Sequence, residues 1–286
     1  MALLGRRLAV AIPETVLEER DSPRDKMVKL GMIARACSVY GVDTIQIFKD
    51  DLRRGELGLI KKVLEYLETP QYLRKRLYPL DETLRYAGLL PPLRIPSHKP
   101  KIPLHELALG DTREGVTNPD GTVDIGLDSS VKLKDGIEPN KRVTVRIAST
   151  DPLRAELTTR EKVPEYWGYS VQAATLDEVL LDKKSELKVA TSKLGLPLRS
   201  IVPTLTRKVA EVSSLKLIFG SPSKGLFEIV GPDLKRKTDF VVNLFADQHV
   251  ETVRTEEAIF AGLALVNVLA VSESLSANRK TGFEKG

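Results

Sequence analysis

The spacing of apolar positions changes twice along this chain. Residues 6–14, RRLAVAIPE, form a short apolar run closed by a proline, the pattern of a buried strand. Ser22 and Pro23 offer a cap and a first-turn proline. They predict a helix over 23–40, where Met27, Leu30, Ile33, Ala34 and Cys37 recur at three- and four-residue spacing until Gly41 stops it. DTIQIFKDD, residues 43–51, reads as a second strand. Strand, helix and strand in succession predict a βαβ unit with a parallel sheet. ELGLIKKVLEYLETP then predicts another helix, followed by the basic, aromatic stretch PQYLRKRLYP at 70–79.

The first change comes at LLPPLRIPSHKPKIP, residues 89–103, whose five prolines in 15 positions cannot continue a helix or a central strand. From 113 to about 162 the period is two. REGVT, GTVDIGL, SVKLKDG, KRVTVRIA and LRAELTT, separated by turn-forming residues, predict a small five-stranded β-barrel of OB-like size. Helical α/β signals return at LDEVLLDKK and PTLTRKVAEV, so the β module is an insertion. The expected division is 1–95, 96–166 and 167–286. The last third reads as strand 214–220, loop, strand 238–246, loop, and a helix of small residues over 252–270, with a polar tail expected to fray.

Composition narrows the class. An apolar fraction of 42% and a charged fraction of 29% describe a soluble, globular protein. A net charge of +5 leans toward an anionic partner. Cys37 is the one cysteine, so no disulfide forms within the chain. With only His98, His105 and His249 beside it, a Cys/His zinc framework is excluded, and no metal is expected. This cysteine usage points to a reducing compartment, the cytoplasm. The apolar run behind Arg6 and Arg7 is too short for a signal peptide. The longest uncharged run, 258–272, is too short to span a bilayer. Few Gln and Asn beside many Lys, Glu and Arg match a thermophile's usage.

Two loops carry candidate chemistry. In FGSPSKGLFEIVG, Gly220 and Gly225 have P-loop spacing, but Leu226 and Phe227 stand where Lys and Ser/Thr are required. Either the backbone there approaches a ligand closely, with Gly220 leaving it room, or the segment is an ordinary turn. In FADQHVETVRTEEA, Thr255 reads as an N-cap, and Glu256 and Glu257 suit the positive end of a helix. The same carboxylates suit acid–base work. His249 has no Ser or Cys partner at triad spacing. Arg35 falls between apolar helix positions, as a surface arginine would. Arg74, Lys75 and Arg76, between Tyr72 and Tyr78, suit either RNA contact or a solvated helix face.

Three segments together resemble the SPOUT methyltransferases: GMIARACSVYGVDTI, LIFGSPSKGL and VRTEEAIFAGLAL. The last has Arg-Thr-Glu-Glu where the family's third motif has its Asn-Val-Ser core. LAVAIP, IARAC, PQYLRKRLYP, LRYAGLLPPL, REGV and TVRTEEAI, in that order, are similar to the archaeal and eukaryotic branch with an OB-like insertion. The resemblance implies an α/β fold with a parallel sheet and a C-terminal trefoil knot, which no periodicity could indicate. It implies a homodimeric, S-adenosylmethionine-dependent RNA methyltransferase acting on rRNA or tRNA, with a uridine ring nitrogen of rRNA as the expected target. It places the cofactor against Leu217, Phe219, Gly220, Ser221, Gly225, Phe245, Ala246, Val253, Arg254 and Thr255. Arg35 and Glu256 are the implied catalytic residues, and Arg35, Arg74, Lys75, Arg76 and Arg113 the implied RNA contacts. Ala261 and Gly262 of the last helix would meet a second subunit. The altered third motif keeps a non-catalytic RNA-binding scaffold as the rival, while a nucleotide hydrolase founders on the failed P-loop.

Overall fold

The computed structural model describes residues 6–50, 55–133, 137–181, 183 and 185–282, without the side chains of 271–282. The chain divides into two compact units. The first takes residues 1–65, 86–91 and 169–286, and the second 66–85 and 92–168.

The first unit is built on a six-stranded parallel sheet of β1 (Arg7–Pro13), β2 (Thr44–Phe48), β8 (Ser170–Ala174), β9 (Glu186–Pro197), β10 (Ser214–Ile218) and β11 (Phe240–Asn243). The order across it is β11-β9-β10-β1-β2-β8. Leu8, Val10, Ala11 and Ile12 are all buried, as a central parallel strand with both faces covered requires. The expected strands at 6–14, 43–51 and 214–220 are present, with Asp51 outside the described residues. β8 and β9 were not expected, because serine and glutamine interrupt the apolar pattern of the first and lysine and serine that of the second.

Two buried lysines account for part of that interruption. Lys188 and Lys216 are neighbours on β9 and β10, and they donate to the Leu180 and Val179 carbonyls at 2.8 and 3.0 Å. These carbonyls end α4 (Leu176–Leu180), whose amino end Thr175 and Glu178 close with a reciprocal capping box. Cations at a helix carboxyl end satisfy its orphan acceptors. Burial lowers the Lys216 pKa against the opposing pull of Glu186.

Further helices are α2 (Leu57–Glu68), which begins in this unit and ends in the second, α6 (Leu226–Val230) and α7 (Leu234–Lys237) in this unit, and α3 (Gln71–Leu77) in the second. α1 (Pro23–Val39) starts with the Ser22 hydroxyl accepting from the Asp25 N–H, and α5 (Leu198–Glu211) leads from β9 to β10. Both helices pack against α8 (Thr255–Gly282). α8 corrects the expected fraying, since its backbone stays helical past Ala270 where no Gly or Pro intervenes before Gly282. It also corrects the expected role of Gly262. A Cβ there would meet Phe219 and Leu244 at 3.3 and 3.4 Å, so this glycine faces the protein's own sheet.

In the second unit, β3 (Thr112–Thr117), β4 (Thr122–Asp124), β5 (Val131–Leu133), β6 (Arg142–Thr150) and β7 (Leu153–Thr158) close a barrel in the order β3-β4-β5-β7-β6. β5 and β7 run parallel and the other pairs antiparallel. Its core is aliphatic, centred on Val123, Ile125, Val131, Val145 and Ile147. A buried ionic cluster lies beside it. Arg142 donates to Glu114 at 2.6 Å and to Glu68 at 2.7 Å, while Trp167 and Thr144 each donate to Glu114 at 2.6 Å. Burial pushes the Glu114 carboxyl up, but Arg142 and Arg160 outweigh it and hold the group below its ordinary value. At Glu68 burial wins and the pKa is raised.

Candidate active site

Loops leaving three neighbouring parallel strands, β9, β10 and β11, enclose a cleft of about 220 Å³ in the first unit. The carboxyl ends of strands are where open α/β sheets bind ligands. One wall arises from a register jump. Ala190 pairs with Val241, but the next rung pairs Leu196 with Val242. Residues 191–195 are thereby expelled from the ladder, and Thr191, Ser192, Lys193 and Leu194 line the cleft. Only glycine fits at 195, where a Cβ would lie 2.7 Å from the Val241 carbonyl oxygen. Asn243 fastens the excursion by donating to the Lys193 carbonyl at 3.0 Å.

The second wall follows β10. The Ser221 N–H donates to the Lys224 carbonyl at 3.0 Å, and the Lys224 N–H donates to the Ser221 hydroxyl at 3.0 Å, closing a tight turn. A Cβ on Gly220 would sit 2.9 Å from that same Lys224 carbonyl. Gly220 is thus needed for the turn to close, and a side chain there strikes the loop before it fills any ligand space.

The third wall joins β11 to α8. Thr255, expected as an N-cap, is instead the first residue of the helix, and its hydroxyl donates to the Gly220 carbonyl at 3.1 Å. The capping carboxylate is Glu257, which accepts from the Arg254 N–H at 2.9 Å. Glu256 has turned away from solvent and is 1% exposed. Its Oε2 accepts no hydrogen bond among the described residues.

Glu256 lines a second cavity of about 440 Å³ with Arg254, Lys29, Arg20, Glu18, Asp21 and Asp25. Pro222 and Thr252 border both cavities. The charge on its far side is largely self-paired, since Lys29 meets Asp21 at 2.7 Å and Glu18 at 3.5 Å, and Arg20 meets Glu18 at 3.2 Å. Burial pushes the Asp21 carboxyl up, but the hydrogen bond from Lys29 holds it below its ordinary value.

Of the residues expected around the cofactor, Phe219, Gly220, Ser221, Gly225, Phe245, Val253 and Thr255 line the cleft. Leu217 does not. Alternation along β10 turns it, with Leu215, under α5 and α8, where it packs as core near Gly262. Ala246 is exposed and lines neither cavity, and Arg254 lies on the second cavity. Arg35, half-buried on α1, lines neither cavity. The wall at 191–194 was missed, although Gly195 two residues before Pro197 is a bulge signal.

The expected RNA contacts need correction. Arg113 is 1% exposed, and its guanidinium donates to the Ile125 carbonyl at 2.8 Å and to that of Pro100. It is a strut of the second unit, with no fork left for phosphate. Arg74 is bound to the Thr69 and Leu67 carbonyls at 2.9 and 3.0 Å, and Arg76 to Asn118 and the Thr117 carbonyl at 2.6 and 2.8 Å. Lys75 is exposed. Among the described residues no cluster of His, Cys, Asp or Glu could hold a metal, and no helix is long and apolar enough to cross a membrane. Cys37 is buried, which pushes its thiol pKa up and keeps it inert.

Residues 7–266 match the family model described as "Putative RNA methyltransferase". An uncharacterized protein of Haloarcula marismortui is 32% identical over 289 residues, covering 91% of this chain and 98% of its own. The human 28S rRNA (uridine-N(3))-methyltransferase is 31% identical over 297 residues, covering 90% of this chain and 77% of its own. The Drosophila melanogaster protein of the same name is 28% identical, covering 90% of this chain and 61% of its own.

Proposed function

Because the chain belongs to this RNA methyltransferase family, we propose that the cleft holds S-adenosylmethionine and that the methyl group goes to N3 of a uridine in large-subunit ribosomal RNA. The observation that carries the cofactor assignment is the cleft itself, at the carboxyl ends of β9, β10 and β11. Its lining suits the ligand. Phe219, Phe245 and Leu194 offer apolar surface for an adenine ring, Thr191, Ser192 and Asn243 offer neutral polar groups, and Glu228 and Glu251 offer carboxylates to a cationic sulfonium or ammonium. When bound, the cofactor supplies an already activated methyl group. The protein's own tasks are orientation and exclusion of water.

Glu256 is the candidate base. Arg35 lies on α1 in line with Val28, Met32 and Val39, at helical spacing, and these three apolar side chains are 42%, 38% and 53% exposed. An exposed apolar stripe on a surface helix suits a second copy of the chain. We assign the stripe to a homodimer in which Arg35 serves the partner's site. The close approach of β9 and β11 at Gly195 and the tie from Thr255 to Gly220 are consistent with the trefoil knot that the family resemblance implies at the C-terminal end. The strand order of the barrel supports an OB-like module that grips RNA, with Lys75 as its basic contact.

Calorimetric titration with S-adenosylmethionine, together with mass-spectrometric analysis of methylated rRNA nucleosides, tests this function. Binding near one molecule per chain and formation of 3-methyluridine are expected. Neither would occur for an RNA-binding scaffold.

A further inference from the structure

One buried carboxylate oxygen of Glu256 has no donor among the described residues. A buried acceptor without a donor is destabilising, more so when the group is charged, and is retained where something binds it. Glu256 borders the cavity that shares Pro222 and Thr252 with the cofactor cleft. Arg254, two residues earlier and exposed, borders the same cavity, and its backbone is fixed by the bond to Glu257. Lys29 and Arg20 are spent on Glu18 and Asp21, so among the basic residues of the cavity Arg254 has no ion-pair partner among the described residues.

We infer that this cavity takes the target base and that Arg254 and Glu256 read the imide edge of a uracil. This rests on the methyltransferase function proposed above. The imide edge presents a carbonyl oxygen, an N3–H and a second carbonyl oxygen in one plane. The Glu256 carboxylate accepts from N3–H, and the Arg254 guanidinium donates to a flanking carbonyl. Cytosine carries no proton on N3, and a base already methylated there has none to give, so each leaves Glu256 unpaired. A site built to hydrogen-bond a group rejects analogues that lack it. The proton transfer is balanced: the N3–H bond breaks, its electron pair stays on N3, and the proton passes to the Glu256 oxygen, from which solvent later removes it. N3 is then the nucleophile that the methyl transfer needs.

Calorimetric or NMR titration of the full chain with uridine, cytidine and 3-methyluridine monophosphates tests the inference without turnover. Uridine monophosphate should bind about tenfold or more tightly than either analogue. Arg254→Met should remove that preference. Glu256→Gln should lower methyl transfer about 10²- to 10⁴-fold, the span of general-base catalysis. Both variants should still bind S-adenosylmethionine. Equal binding of the three nucleotides, or wild-type selectivity in Arg254→Met, would overturn the assignment, as would a wild-type rate in Glu256→Gln. If Glu256→Gln loses cofactor binding as well, Arg254→Met, a change at an exposed side chain, decides alone. A wild-type protein that binds no S-adenosylmethionine and forms no methylated nucleoside sinks the proposed function. A wild type that methylates uridine while both variants match it sinks only the imide reading.

Discussion

The Thr255 hydroxyl donates to the Gly220 carbonyl at 3.1 Å, joining the first turn of α8 to the loop after β10 across 35 positions of sequence. Thr255 is 4% exposed, so the bond is shielded from competing water. It sets the mouth of the helix against one wall of the cleft.

Thr255→Val keeps the shape and removes the donor, leaving the Gly220 carbonyl without it. The expected loss is about 1 kcal/mol of stability, the net value of one such bond. S-adenosylmethionine affinity should fall with it, because two of the three walls would no longer be tied. Denaturant unfolding and calorimetry on the same preparation check both. Unchanged affinity with reduced stability would mean that the tie supports the fold alone.

Gly195→Ala should be far costlier than Gly262→Ala. At 195 a methyl group meets backbone atoms of Val241 and Val242 at 2.7 Å, and backbone cannot swing aside. At 262 it meets the ring edge of Phe219 at 3.3 Å, which can shift by a few tenths of an ångström. We expect about 3 kcal/mol or more for the first and under about 1.5 for the second, by analogy with overpacked cores. Thermal unfolding midpoints of the two variants give the comparison. Gly262→Leu should destabilise each chain directly, whatever its oligomeric state.

Arg113→Met should destabilise the second unit and Lys75→Ala should not. Arg113 leaves the Ile125 and Pro100 carbonyls without their donor when removed, the first of them buried, at about 1.5–3 kcal/mol for each hydrogen bond to a charged group. Lys75 is exposed, and its loss should register only as weaker RNA binding at low salt. Unfolding curves and filter-binding at two ionic strengths distinguish the two residues.

His98 should make the second unit acid-sensitive. Its ring Nε2 lies 2.8 Å from the Glu68 carbonyl, and burial lowers its pKa from 6.5 to about 4. The unfolded chain binds the proton near pH 6.5 and the folded one only near 4. The neutral ring's contribution is therefore complete above pH 6.5 and is lost as pH falls toward 4. The full difference is about 3 kcal/mol at 1.36 kcal/mol per unit. His98→Gln keeps a donor toward Glu68 and should flatten this part of the stability profile. A variant profile parallel to that of the protein itself would place the sensitivity elsewhere.

Much of this molecule follows from its sequence by short-range physics. The apolar runs at 7–13 and 44–48, the three- and four-residue spacing between Met27 and Cys37 and the alternation from 113 to 158 each set an element within a few residues of where it lies. Gly, Ser and Lys after β10 marked a loop that lines the cleft. These features are local, because helix and strand periods are written in neighbouring side chains. The tertiary structure decided the rest. β9 is broken by lysine and serine in the sequence, and only the α4 carbonyls that receive Lys188 and Lys216 make its burial intelligible. The excursion at 191–195 exists because β11 changes register beside it, a fact about two strands roughly fifty positions apart. Arg113 and Arg74 looked like part of a basic RNA surface, and became struts once folding brought carbonyls within reach, while Arg76 stays exposed beside the Thr117 carbonyl. Glu256 and Glu257 are adjacent and chemically alike. Which one caps the helix and which one enters a cavity depended on the turn of α8 against α1, and no pattern along the chain could tell them apart.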